Sequence, residues 1–110
     1  MLKTQFGYWF DKELKVYEFE TLTAGAAALP FTAAKLTATN KEAAIRAWVS
    51  VVGGDIRYRC DGTAPTASIG HYVADGGTAE IEGKTNLTRF QMIAASGTAA
   101  VTISYSRYEE

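Results

Sequence analysis

Between Ile56 and Tyr105 the chain breaks into short β-like runs, Ile56–Cys60, Thr78–Ile81, Phe90–Ala94 and Ala99–Tyr105, punctuated by Asp61-Gly62, Asp75-Gly76-Gly77 and Ser96-Gly97. Turn residues set between runs of alternating polarity predict antiparallel β-structure. The same stretch holds one His and one Cys, no cluster spaced for metal ligation and no phosphate-binding loop. A chain with so little chemistry and so much β-pattern is expected to bind and pack rather than to catalyse.

The remaining segments extend that pattern. Lys15–Glu20 alternates Val16 and Glu18 with Tyr17 and Phe19, which predicts a first strand. Thr21–Ala34 is rich in Thr, Ala and Gly and contains Leu29-Pro30-Phe31, which predicts a long surface loop or arm. Lys35–Thr39 alternates again as a short strand. Over Asn40–Val52 two patterns compete. Asn40 suits a helix cap ahead of a stripe of Ala44, Ile45, Trp48, Val49 and Val52. The strand alternative sets Ile45, Ala47, Val49 and Val51 opposite Arg46, Trp48 and Ser50. The β-branched density, and a Gly53-Gly54 turn leading into Ile56, favour that alternative as one arm of a hairpin. His71–Val73 with Thr78–Ile81, and Leu87–Ala94 with Ala99–Tyr105, make two further expected hairpins. The resulting fold class is all-β, an antiparallel jelly-roll-like β-sandwich of about eight strands. It forms a single domain over residues 1–110, with residues 1–14 as an N-terminal arm.

Hydrophobic residues make up 47% of the chain, but Ala and Gly dilute the large ones, so Phe6, Trp9, Phe10, Phe19, Phe31, Trp48 and Phe90 are expected to fill most of the core. Eleven basic residues stand against twelve acidic ones, a balance that offers no field to attract a polyanion, and nucleic-acid binding is not expected. The aromatic segment Met1–Phe10 is interrupted at once by Asp11, Lys12, Glu13 and Lys15, so neither a signal peptide nor a membrane span is expected. A single Cys60 cannot form an internal disulfide and suits a chain folded in a reducing cytoplasm, where it packs as a small hydrophobe.

No catalytic set emerges. His71 has no nucleophile motif beside it and is expected to bond a loop carbonyl or the Asp61–Thr66 turn. Asp55, Asp61, Asp75, Glu80 and Glu82 offer carboxylates, but nothing in their spacing singles out a pair, and Asp61 and Asp75 precede Gly as turn residues do. No metal, no cofactor and no enzyme activity is expected. Two groups qualify as partner-binding residues. Arg57 and Arg59 share a strand face, where they either form an ion ladder with Glu80 and Glu82 or reach acidic residues of a partner. Phe6, Tyr8, Trp9 and Phe10 sit beside the N-terminus, where they either seal one end of the sandwich or anchor in a neighbouring subunit.

The run Ile56-Arg57-Tyr58-Arg59-Cys60-Asp61-Gly62-Thr63-Ala64-Pro65-Thr66-Ala67-Ser68-Ile69-Gly70-His71, followed by Glu82-Gly83, Phe90-Gln91-Met92-Ile93-Ala94 and Val101-Thr102-Ile103-Ser104-Tyr105, resembles small virion structural proteins of tailed bacteriophages. The resemblance covers about half the chain, and its specific part is Asp61 to His71. It implies a small β-sandwich acting as a head decoration or cement protein, made in the host bacterial cytoplasm and bound to the capsid surface. There it clamps neighbouring major capsid protein subunits as a homo-oligomer, dimer or trimer. A neck or tail position, and a carbohydrate-binding β-sandwich using Tyr8, Trp9, Trp48 or Tyr72 as platforms, are the alternatives.

Overall fold

The computed structural model describes residues 13–37 and 43–109. The strands are β1 (Glu13–Ala24), β2 (Arg46–Val52), β3 (Ile56–Arg59), β4 (His71–Val73), β5 (Thr78–Glu82), β6 (Gln91–Ala94) and β7 (Ala99–Glu109). Two short helices, α1 (Ala33–Leu36) and α2 (Lys84–Arg89), lie between them. The strands form two antiparallel sheets, one ordered β1-β7-β2-β5 and the other β4-β3-β6. The expected all-β sandwich is therefore the fold, with seven strands among the described residues. The surface loop expected over Thr21–Ala34 contains a remnant of an eighth, because Leu29 and Met92 exchange backbone hydrogen bonds of 2.8 and 2.9 Å at the edge of β6.

Asn40–Val52 divides as the strand alternative requires from Arg46 onward. Ala47, Val49 and Val51 are buried, whereas Arg46, Trp48 and Ser50 point to the other face. Residues 40–42 lie outside the described residues. Four expectations are corrected. Thr21–Ala24 continues β1 instead of opening a loop, and Glu13 and Leu14, expected in the arm, begin that strand, paired with Glu109 and Tyr108. Lys35 and Leu36 close the single turn of α1 rather than starting a strand. Leu87–Arg89 belongs to α2, entered through Gly83 at φ +102°, and it turns Leu87 into the core.

All three expected hairpins are corrected in the same way. The turns at Gly53-Gly54, Asp75-Gly76-Gly77 and Ser96-Gly97 carry the chain from one sheet to the other, so β2–β3, β4–β5 and β6–β7 do not pair. Of consecutive strands, only β3 and β4 pair directly, Ile56 opposite Val73. The crossings are lashed together by acidic side chains. Asp55 accepts hydrogen bonds from the Tyr72 hydroxyl at 2.5 Å and the Asp75 amide at 2.8 Å, and Asp75 accepts one from the Gly53 amide at 2.9 Å.

The crossing geometry makes neighbouring glycines unequal. A Cβ on Gly54 would stand 2.5 Å from the Thr98 carbonyl oxygen, whereas one on Gly53 would meet nothing within 4 Å and suffer only its φ of +90°. Gly54→Ala is expected to cost about 1–3 kcal/mol by forcing two backbone segments apart. Gly53→Ala should cost no more than about 1–2 kcal/mol of backbone strain. Urea unfolding of both variants checks the ranking, and a larger loss at Gly53 would contradict the close approach of the two crossings.

The core lies between the sheets. Phe31 and Phe90 stack with ring centroids 3.9 Å apart, Tyr105 meets Phe31 edge-on at 5.5 Å, and Tyr58 lies 5.4 Å from Phe90. Ile56, Leu87, Met92, Ile103, Val49, Val51 and Val101 complete it. Phe31 and Phe90 thus fill the role expected of them. Phe19 and Trp48 do not: they are 58% and 51% exposed. A bulge between Val16 and Glu18 explains Phe19, since the extra residue, Tyr17, packs toward the core and the following alternation turns Phe19 outward. Phe6, Trp9 and Phe10 lie outside the described residues.

Candidate functional site

Arg57 and Arg59 are both engaged within the chain. Arg57 donates from Nε to the Ala67 carbonyl and from Nη1 to the Gly70 carbonyl, each at 3.1 Å, and its guanidinium stands 5.1 Å from the Tyr72 ring centroid. It braces the Asp61–Gly70 loop that joins β3 to β4. Arg59 forms a fork with the Asp61 carboxylate, which holds that carboxyl below the usual range. The expected ladder with Glu80 and Glu82 is absent, because those carboxylates face Arg46 on the adjoining strand, at 3.8 and 2.6 Å. Arg46 directly opposes Glu82 in the sheet, whereas β3 and β5 belong to different sheets. Phe6, Tyr8, Trp9 and Phe10 lie outside the described residues.

The other titratable groups have local structural uses. His71 is exposed and lies against the Tyr58 ring at 5.2 Å. Cys60 is half-buried against the core, and burial pushes its thiol up, away from the nucleophilic thiolate. The hydrogen bond from Tyr72 and the Asp75 amide hold Asp55 below the usual carboxylate range, as suits an acceptor tying two crossings together. Among the described residues no group of three or more His, Cys, Asp and Glu is disposed to hold a metal ion.

The distinctive surface is the outer face of the four-stranded sheet. The register lines up Phe19, Ser104, Trp48 and Glu80 in one row across β1, β7, β2 and β5. On one side of it lies the row Val16, Ser106, Arg46 and Glu82; on the other lies Thr21, Thr102, Ser50 and Thr78. Side chains directly opposite on paired strands share a face. Five of the seven large apolar side chains exposed among the described residues, Val16, Phe19, Trp48, Val52 and Tyr108, therefore project from this one side. Two open depressions interrupt it, about 330 Å³ beside Arg46, Glu82 and Tyr108 and about 270 Å³ beside Trp48, Thr78 and Glu80.

Of these five only Trp48 was expected in a binding role, as a platform in the carbohydrate-binding alternative, and the alternation in β2 carried the signal: the face opposite Ala47, Val49 and Val51 presents Trp48 to solvent. Scans against protein-family models, curated proteins and solved structures found no match.

Proposed function

We propose that this chain is a structural protein of a tailed-bacteriophage particle, a head decoration or cement protein that works by surface burial without turnover. The observation that carries the reading is the apolar outer face of the four-stranded sheet. Isolated exposed apolar residues are ordinary, but five gathered on one sheet face mark a protein-docking surface. Connectivity supports the jelly-roll form of the sandwich: with Leu29 counted as a strand remnant, each sheet receives four strands. The resemblance over residues 55–105 supplies the setting.

In this reading many copies bound on the outside of the capsid bridge adjacent major capsid subunits. Parting the shell then requires releasing each clamp as well. A dimer or trimer would match local symmetry axes. The test is the copy number of this protein relative to the shell protein in purified particles, by quantitative mass spectrometry. A ratio near one supports head decoration, a small fraction moves the protein to the neck or tail, and absence from particles overturns the reading.

One observation favours a second reading. The exposed rings of Phe19 and Trp48 stand in a single row with Ser104 between them and Glu80 at the end, and exposed aromatic rings beside polar groups are what a sugar ring stacks on. Retention on immobilised polysaccharides that is lost in Trp48→Ala would establish this carbohydrate-binding role in place of capsid binding.

A further inference from the structure

Docking on the outer face of the four-stranded sheet has to deal with charge. Across the paired rows of this face, among the described residues, the charged side chains are Arg46, Glu80 and Glu82, two carboxylates against one guanidinium. They are matched unevenly. Arg46 holds Glu82 through Nη2 at 2.6 Å, whereas its Nη1 stands 3.8 Å from Glu80, beyond hydrogen-bond reach. Glu80 therefore keeps accepting capacity that solvent can meet while the face is exposed.

A partner that covers the face takes that solvent away. Burying a carboxylate without a hydrogen-bonded counter-charge is costly, and apolar contact beside it does not cancel the cost. Whatever docks here has to bring a cation to Glu80.

A seat for that cation exists. Trp48 stands directly across from Glu80 on the paired strand, and Thr78 is its diagonal neighbour. The depression of about 270 Å³ is lined by these three side chains and Ala79. Trp48 is half-exposed, and the face of an indole attracts a cation more strongly than other rings do. A guanidinium suits the site better than an ammonium group. It is planar and weakly hydrated, it stacks on aromatic rings, and its edge offers paired N–H donors to a carboxylate.

The chain makes the same arrangement internally. The Arg107 guanidinium lies 4.0 Å from the Tyr17 ring centroid while its Nε donates to Glu109 at 2.6 Å. Trp48 and Glu80 offer the same two kinds of group, a ring and a carboxylate, and the nearest arginine, Arg46, is committed to Glu82.

We propose that the docking partner seats an arginine side chain in this depression, its guanidinium stacked on Trp48 and its N–H groups donated to the Glu80 carboxylate and the Thr78 hydroxyl oxygen. Val16 and Phe19 on β1 then take the apolar contacts. The inference rests on reading the outer face as a protein-docking surface, and it names the chemistry the partner presents there. A neutral sugar could stack on the same ring without needing the charge, so a charge-matched probe distinguishes the two.

That probe is N-acetyl-arginine amide, set beside N-acetyl-citrulline amide, which keeps the shape and lacks the charge. The chain has two tryptophans, and Trp48→Phe identifies which indole N–H signal in the NMR spectrum belongs to Trp48. Millimolar arginine amide is expected to move that signal saturably, and citrulline amide to act at least several-fold more weakly. Glu80→Gln, an exposed and isosteric change, should weaken the arginine response at least several-fold while the rest of the spectrum stays in place. No saturable shift with arginine, an equal response to citrulline, or a response undiminished in Glu80→Gln would overturn the proposal. Copy number in particles judges the decoration role separately. A protein that responds to arginine but is absent from particles ends that role alone, and one present at shell stoichiometry without the response ends the arginine seat alone.

Discussion

Phe90→Ala is expected to destabilise the fold by about 3–5 kcal/mol, the range for removing a buried aromatic ring that its neighbours cannot replace. Phe90 is 1% exposed, and its ring lies between Phe31 at 3.9 Å and Tyr58 at 5.4 Å, so its loss opens a void where the two sheets meet. Against a total of roughly 5–15 kcal/mol for a domain of this kind, that is a large part of the margin. The thermal midpoint should fall by roughly 20 °C. Phe19→Ala is the control: the same side chain, 58% exposed, should cost about 0.5 kcal/mol or less. Calorimetry on the pair checks the contrast, and a comparable loss at both sites would show that the outer face is covered by something more than solvent.

The contrast also locates where sequence reasoning succeeds and where it fails. Phe19 and Phe90 carry equal hydrophobicity, and only the bulge at Tyr17 separates them. A strict two-residue period puts Tyr17 and Phe19 on one face; one extra residue sends the first inward and the second out. Strand existence was legible at Ile56–Cys60, Thr78–Ile81, Phe90–Ala94 and Ala99–Tyr105 because β-branched and aromatic residues alternate there between turn residues. Pairing was not. A glycine at positive φ reports that the chain reverses, and a three-residue reversal serves equally to join hydrogen-bonded neighbours or to cross the roughly 10 Å between packed sheets. Which of these occurs at Gly53-Gly54 depends on whether β2 finds a better partner elsewhere, and it finds two, β5 and β7, the latter about fifty residues away.

The candidate surface was half legible for a related reason. Trp48 was placed by its alternation on the face away from Ala47, Val49 and Val51, and yet by its size among core residues. The alternation prevails because both strands flanking β2 present buried side chains on the opposite face, including Ile81, Val101, Ile103 and Tyr105. Arg57 and Arg59 illustrate the reverse limit. Their shared strand face was read correctly as carrying charge outward, but their acceptors at Ala67, Gly70 and Asp61 are supplied by a loop whose path no local pattern encodes.

Tyr105 gives the fold a specific alkaline weakness. Its ring is fully buried, and its hydroxyl donates to Glu20 Oε2; the same carboxylate takes the Thr32 hydroxyl at 2.6 Å, tying β1, β7 and the segment before α1 to one acceptor. Burial first, and the adjacent carboxylate second, push the Tyr105 phenol far above its ordinary value of about 10. Below that value the phenol is neutral in both states and the stabilisation is complete. As the pH rises past about 10 the unfolded chain ionises while the folded one resists, so stability falls over the window above 10. Tyr105→Phe should remove this part of the alkaline loss while costing about 1–3 kcal/mol at neutral pH, because Glu20 loses a donor. Glu20→Ala should cost a similar amount by leaving the buried hydroxyl without its acceptor, and the double variant should lose less than the sum of the two. Urea unfolding of the three variants at neutral pH and near pH 11 measures both effects. Strict additivity, or an alkaline loss undiminished in Tyr105→Phe, would show that the Glu20–Tyr105 pair does not join these three segments.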